Sequence, residues 1–304
     1  RLINLGRNEK RHPLDKFTIE AMHQSVDKIA MHPLLLENAF QQGHLLLREA
    51  IIKNDYNTRG IHLSSEEIFL NRGIKNEIGN INEILCSDNT IGIPDPCQPI
   101  YMGKSIEYLS GDENNGFVPQ PPNHQIDVVY LASPNNPTGT VFSKSQLKKW
   151  VDYALKNNVL IIYDATYEAY IQVPNIPHSI YEIRGAKKVA IELRSFSRIN
   201  GVVEVGCGYT VIPKELHAQS LDGKNISINT LWKCRQEFRS EHIPYMWQYA
   251  ATASYTEKGK AVIRASLDYY LKNVQHMRRE LARSGLRFYG GEHIPYLWIK
   301  TPKG

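Results

Sequence analysis

Ile126-Asp-Val-Val-Tyr-Leu131 runs almost directly into Ser133-Pro-Asn-Asn-Pro-Thr-Gly139, and this junction decides how the chain folds. The first stretch is short, β-branched and mostly apolar, and turn residues close it, which is the pattern of a strand buried on both faces. A helix follows. Ser143 with Gln146 three residues on is a capping-box pair, and Leu147, Trp150, Val151, Ala154 and Leu155 recur at helical spacing until Asn157-Asn158. Val159 to Tyr163 is a second strand ending at Asp164, Lys188 to Leu193 a third, and Tyr209 to Ile212 a fourth. Strands alternating with helices predict an α/β fold, a mostly parallel sheet with helices on both faces. Further on, Arg264 to Ser284 reads as a long helix stopped by Gly285, followed by Gly290-Gly291 and a strand from Pro295 to Ile299. Open sheets of this kind bind ligands beyond the carboxyl ends of their strands. Asn136, Asp164 and Ser195 each stand just past such an end.

Composition narrows the function classes. With 304 residues, 42% hydrophobic and 10% aromatic, the chain can bury a sizeable core, so a disordered or collagen-like chain is excluded. Thirty-six Lys plus Arg against thirty-one Asp plus Glu leave a mild +5, with the basic residues scattered, so no nucleic-acid partner is expected. No apolar run approaches the length of a membrane span and no signal-peptide core opens the sequence, so a cytoplasmic protein without a membrane partner is expected. Cys86, Cys97, Cys207 and Cys234 lie far apart without a C-x-x-C pair, and the eleven histidines include no H-E-x-x-H. No metal site is expected from such spacing.

The stretches SPNNPTGT (Ser133 to Thr140), YDATYEAY (Tyr163 to Tyr170), IPHSIYEI (Ile176 to Ile183), SFSR (Ser195 to Arg198), GYTVIPKEL (Gly208 to Leu216) and YGGEHIPYLWIKTP (Tyr289 to Pro302) carry a resemblance. The sequence resembles fold-type-I pyridoxal-phosphate aminotransferases, and within them the LL-diaminopimelate aminotransferase family. The resemblance implies an aminotransferase-like large domain over 36–265, with 1–35 as an N-terminal part of a small domain and 266–304 as the start of a truncated C-terminal small domain. It also implies pyridoxal 5'-phosphate as cofactor, an amino acid and a 2-oxo acid as substrates, and a homodimer with shared active sites. The family's reaction moves an amino group between LL-diaminopimelate and 2-oxoglutarate in lysine biosynthesis.

Residue roles follow from the same resemblance. Asp164 matches the carboxylate that keeps the cofactor's pyridine nitrogen protonated, so that the ring acts as an electron sink. Tyr167 and Asn136 match the groups that hydrogen-bond the ring's phenolic oxygen. Ser195 and Ser197 match hydroxyls near the phosphate, and Gly73 and Lys75 match a loop whose amides cradle it at a helix N-terminus. Plainer readings stand beside these: Asn136 as a turn residue, Asp164 as a cap, Tyr167 as core.

Departures from the family pattern are as informative. The lysine that carries the cofactor as a Schiff base and shuttles the α-proton is replaced by Arg198, and a guanidinium stays protonated and cannot act as the amine nucleophile. Gly206 stands where the family has the arginine that clamps the phosphate. The segment whose tyrosine reaches the partner's phosphate reads Glu37-Asn38-Ala39-Phe40-Gln41-Gln42-Gly43, the ring-stacking tyrosine is Gln98, and the substrate segments read Leu5-Gly6-Arg7-Asn8-Glu9 and Ser240-Glu241-His242. About twenty family residues are missing between Tyr101 and Ile106, and the arginine for the substrate carboxylate is expected beyond Gly304. These losses predict an aminotransferase homologue whose activity is lost or impaired, a pseudoenzyme. The alternative is a non-catalytic dimerising or regulatory partner of an active paralogue, and a third possibility is altered chemistry with Arg198 binding an anion.

Overall fold

Side chains of the inner strands sort by parity to two faces, and each face is covered by helices. In the computed structural model, which describes residues 14–32, 35, 42–99, 105–197, 206–220, 222–239 and 243–302, this sorting builds one seven-stranded sheet. The main elements in chain order are α1 (Lys16–Met31), α2 (Leu45–Ile51), β1 (Ile68–Asn71), α3 (Ile74–Asn82), β2 (Thr90–Asp95), β3 (Ser105–Ser110), β4 (Val128–Ala132), α4 (Lys144–Asn157), β5 (Leu160–Asp164), β6 (Ala190–Ser195), β7 (Gly208–Val211), β8 (His217–Gln219), β9 (Asn225–Ser227), α5 (Ile228–Phe238), α6 (Tyr245–Ala253), α7 (Glu257–Arg283), β10 (Phe288–Gly290) and β11 (Leu297–Ile299). The sheet order is β1-β7-β6-β5-β4-β2-β3, and only β7 runs against the others. The two short hairpins, β8-β9 and β10-β11, stand apart from it.

Parity does the packing. Val129 and Leu131 of β4 and Ile161 and Tyr163 of β5 join Leu47, Ile51, Tyr56 and Trp150 on one face. Val128, Tyr130 and Ile162 join Phe69, Ile78, Ile81 and Trp232 on the other. Strands buried on both faces are apolar on both parities, which is why the VVYL of β4 and the LIIY of β5 carry no alternation. Helix α4 begins as expected: the Ser143 hydroxyl accepts from Gln146 N and the Gln146 side chain accepts from Ser143 N at 2.8 Å. It buries Leu147, Trp150, Val151 and Ala154, while Leu155 turns to solvent at 41% exposed, and Asn158 ends it in the left-handed conformation.

The four expected strands are present with small shifts. Asp127 is drawn out of β4 because its carboxylate accepts from Thr90 N at 2.7 Å, and Lys188 closes a 3-10 turn over Ala186–Lys188 rather than opening β6. The long helix starts at Glu257 rather than Arg264, capped by the Thr256 hydroxyl accepting from Gly259 N. Parallel register then places the site. Ala132 pairs with Asp164 and Asp164 with Leu193, so the carboxyl ends of β4, β5 and β6 lie side by side, and whatever follows them is brought to one edge.

Candidate cofactor site

Between Asn71, the last residue of β1, and Ile74, the first of α3, the chain turns through Arg72-Gly73. Asn71 fixes the turn: its Oδ1 accepts from Gly73 N at 2.8 Å while its Nδ2 donates to Thr210 Oγ1 at 2.9 Å. Gly73 is the helix N-cap, with φ 105° and no side-chain cap, and its carbonyl accepts the first helical bond, from Glu77 N at 3.1 Å. The amides of Ile74, Lys75 and Asn76 therefore have no carbonyl of the helix to bond. These three residues line a cavity of about 250 Å³. Ser195 and Ser197, from the end of β6, line it from the other side with Gln98, Thr166, Tyr167 and Gly206. Ser197 N donates to Ser195 Oγ at 3.2 Å, and the Ser197 hydroxyl, in a residue 9% exposed, has no partner among the described residues.

Gly206 is glycine for a steric reason. Its φ is 61°, and a Cβ there would lie 1.9 Å from the carbonyl oxygen of Arg72. No side chain fits at 206 while the 72–73 turn holds its course.

Of the residues singled out by sequence, the structure brings Gly73, Lys75, Tyr167, Ser195 and Ser197 together around this cavity, with the two departures Gln98 and Gly206. Asp164 is not part of the lining. It is buried at the end of β5, where Oδ1 accepts from Thr166 N at 2.9 Å and Thr166 Oγ1 at 2.5 Å; it does not cap a helix, because the 3-10 turn that follows, Glu168–Tyr170, has Tyr167 as its N-cap. Asn136 precedes a cis Pro137 and has no hydrogen-bond partner among the described residues; the turn is held instead by Asn135, which donates to Thr138 Oγ1 at 2.8 Å. The Tyr167 hydroxyl meets the Tyr296 hydroxyl at 2.8 Å, and its ring packs with Tyr170, Leu267 and Ile294, so it is a core residue as well as a wall of the cavity. Arg198, 5–9, 37–41, Tyr101 and 240–242 lie outside the described residues.

A larger cavity of about 590 Å³ shares Thr166 and Ser195 with the first, and its floor is an ion network that the motifs did not announce. Arg194, 3% exposed on β6, donates from Nε to Glu192 at 2.9 Å and from Nη2 to the His178 carbonyl at 2.8 Å. Its Nη1 lies 2.7 Å from Glu168 Oε1 as a charge contact, off the line of a hydrogen bond. Glu192 also accepts from Tyr56 at 2.7 Å, Ser179 at 2.6 Å and Ile180 N at 3.0 Å. Asp55 accepts from the hydroxyls of Tyr209 and Tyr255, and burial raises its carboxyl above the ordinary range.

For Glu168 burial alone pushes the carboxyl up, but Arg194, with His178 and Arg59 behind it, overcomes this and holds it at about 2. A carboxyl lowered on folding stabilises the native state above its ordinary 4.5 and loses that contribution as pH falls toward 2. The gap corresponds to about 3 kcal/mol. Urea unfolding at stepped pH is expected to show wild type losing that amount more than Glu168→Gln between pH 5 and 2; parallel curves for the two proteins would contradict it.

Comparison with known proteins decides the family. The Aminotransferase class I and II family matches residues 117–303. LL-diaminopimelate aminotransferase of Bacteroides fragilis is 48% identical over 321 aligned positions, covering 100% of this chain and 78% of the relative. The chain belongs to the LL-diaminopimelate aminotransferase family. The enzyme of that name from Methanosphaera stadtmanae is 41% identical over 99% of this chain and 77% of its own length. The solved L,L-diaminopimelate aminotransferase from Chlamydomonas reinhardtii superposes with a TM-score of 0.88 at 30% identity, over 96% of this chain and 75% of its own.

Class I and II aminotransferases depend on pyridoxal phosphate, and this homologue's small cavity can be tested against that group. Three free amides, two seryl residues, Lys75 and Arg72 suit a phosphate dianion. The ring end fits less well, with Gln98 in place of a stacking ring. Sequence reasoning missed Arg72, Thr166 and the Arg194 network. The network had a signal, two charges, Glu192 and Arg194, inside an otherwise apolar strand. Among the described residues no cluster of His, Cys, Asp or Glu could hold a metal ion, and no helix is long and apolar enough to cross a membrane.

Proposed function

We propose that this aminotransferase homologue retains a pyridoxal-phosphate pocket but has lost, or nearly lost, amino transfer between LL-diaminopimelate and 2-oxoglutarate. One observation carries the reading: a cavity lined by the first turn of α3, Ser195 and Ser197 suits a phosphate, while the residue immediately after Ser195-Phe196-Ser197 is Arg198. When bound, pyridoxal phosphate supplies an electron sink for the bonds of the substrate α-carbon. The residues of this chain do the rest or fail to. Ser195, Ser197 and the first-turn amides of α3 hold the phosphate; Asp164, at the carboxyl end of β5, holds a proton at the ring nitrogen. Arg198 offers a fixed cation. It can neither link covalently to the cofactor aldehyde nor accept a proton from the α-carbon, because its guanidinium keeps its protons. A cytoplasmic homodimer belongs to this reading by family resemblance.

The test uses the full chain, pyridoxal phosphate and borohydride. Titration is expected to show reversible cofactor binding, peptide mapping to show no covalent phosphopyridoxyl adduct, and assay to show no amino transfer above the uncatalysed rate. A single modified lysine in the pocket, where Lys75 is the lysine among the described lining residues, or measurable turnover, would refute the proposal.

A further inference from the structure

The small cavity carries two cations and no carboxylate among its described lining residues, a charge balance that favours an anion. Lys75 comes from the first turn of α3 and Arg72 from the turn before it. Arg72 is exposed and has neither an ion pair nor a hydrogen bond among the described residues. Its backbone carbonyl is also what excludes a side chain at 206, through the 1.9 Å approach described above. The two facts are geometrically linked. The course of the turn that presents Arg72 to the cavity is the course that requires glycine opposite. Ser197, nine-tenths buried as a residue, lines the cavity with a hydroxyl that has no hydrogen-bond partner among the described residues, a second and independent sign that a polar ligand completes the site.

We propose that Arg72 is the phosphate-binding cation of this pocket, standing in for the arginine absent at position 206. The inference rests on the cofactor reading above for its natural ligand, but its chemistry is that of a phosphate monoester dianion in general. A guanidinium offers two parallel N–H donors to phosphate oxygens, which an ammonium at Lys75 cannot imitate. Arriving from an exposed turn, the Arg72 fork retains the anion more than it orients it.

Calorimetric titration of the full chain with pyridoxal phosphate, pyridoxal and inorganic phosphate separates the possibilities. Arg72→Ala is expected to weaken pyridoxal phosphate and inorganic phosphate about 10-fold or more, the loss typical of one charge-assisted contact, and to leave pyridoxal unchanged. Arg72→Lys should fall between, because it keeps the charge and loses the fork. Arg72 is exposed, so neither variant should disturb folding, which circular dichroism checks. Unchanged pyridoxal phosphate affinity in Arg72→Ala overturns the assignment, as does an equal loss for pyridoxal, which would mark a structural role. Should the wild-type chain bind inorganic phosphate through Arg72 and ignore pyridoxal phosphate, the assignment holds and the cofactor reading falls. A wild-type chain that binds neither overturns both.

Discussion

Arg198→Lys is expected to create a reactive amine without creating an aminotransferase. The variant should give a weak borohydride-trapped phosphopyridoxyl adduct at the new lysine, and amino transfer from LL-diaminopimelate to 2-oxoglutarate at least about 10²-fold below that of an intact relative. The physical reason lies in what surrounds the lysine. Proton transfer needs the reacting groups placed to a fraction of an ångström, and misplacement alone costs about that factor even with every group present. Two of the elements that would place the ring are absent: Gln98 has no aromatic face to stack, and no arginine fork reaches the phosphate from 206. Adding Gly206→Arg should make matters worse, because the new Cβ meets the Arg72 carbonyl oxygen at 1.9 Å and must displace the turn that presents Arg72 and the α3 amides. Steady-state assay of the single and double variants beside the B. fragilis enzyme reads this directly. Full turnover by Arg198→Lys alone would mark the arginine as a lone lesion in a working site and end the reading of a decayed one.

The inner sheet was legible because its physics is local. Val128 to Leu131 and Val159 to Tyr163 are apolar on both parities because they sit between two helical layers, and Ser143 with Gln146 states a helix start in two residues. β1, β2 and β3 were not legible. β1 is four residues long, β2 contains Gly92 and Pro94, and β3 is an edge strand with most positions exposed, so none carries a run or an alternation long enough to read. Gly92 is explained only by its neighbours: a Cβ there would lie 2.7 Å from Ile126 Cδ1. The site divides the same way. Asn136, Asp164 and Ser195 were found from the rule that ligands bind past strand ends, and Ser197, Gly73 and Lys75 by resemblance. Arg72 was missed because its meaning depends on Gly206, far away in sequence and opposite it in space. Asn136 and Asp164 match family positions, but outside the described lining of the small cavity.

Arg194→Met is expected to destabilise the fold by about 3–5 kcal/mol and to reverse the pH dependence of the site it leaves. Arg194 compensates two buried carboxylates, Glu192 at 0% and Glu168 at 9% exposed, and its guanidinium also packs 5.5 Å from the Tyr56 ring centroid. Methionine fills part of the volume and none of the charge. Glu192 keeps its three other donors, Tyr56, Ser179 and the Ile180 amide, whereas Glu168 is left with His178 and a distant Arg59 at 4.0 Å. Burial, which pushes the Glu168 carboxyl up, is then no longer overcome, and its folded value should rise above its unfolded one. The sign of the linkage changes with it. Where the wild-type chain loses stability as pH falls toward 2, the variant should gain stability as Glu168 takes up a proton, starting above pH 4.5. A second change, Glu168→Gln, removes the stranded charge and should recover part of the loss, so the double-mutant cycle reports coupling between positions 168 and 194 directly. Urea unfolding of the four proteins at pH 7 and pH 5 measures both effects. A loss under about 1 kcal/mol, or a variant whose stability still falls with acid as steeply as the wild type, would show that Arg194 is a screened surface-like charge and not the centre of a buried network.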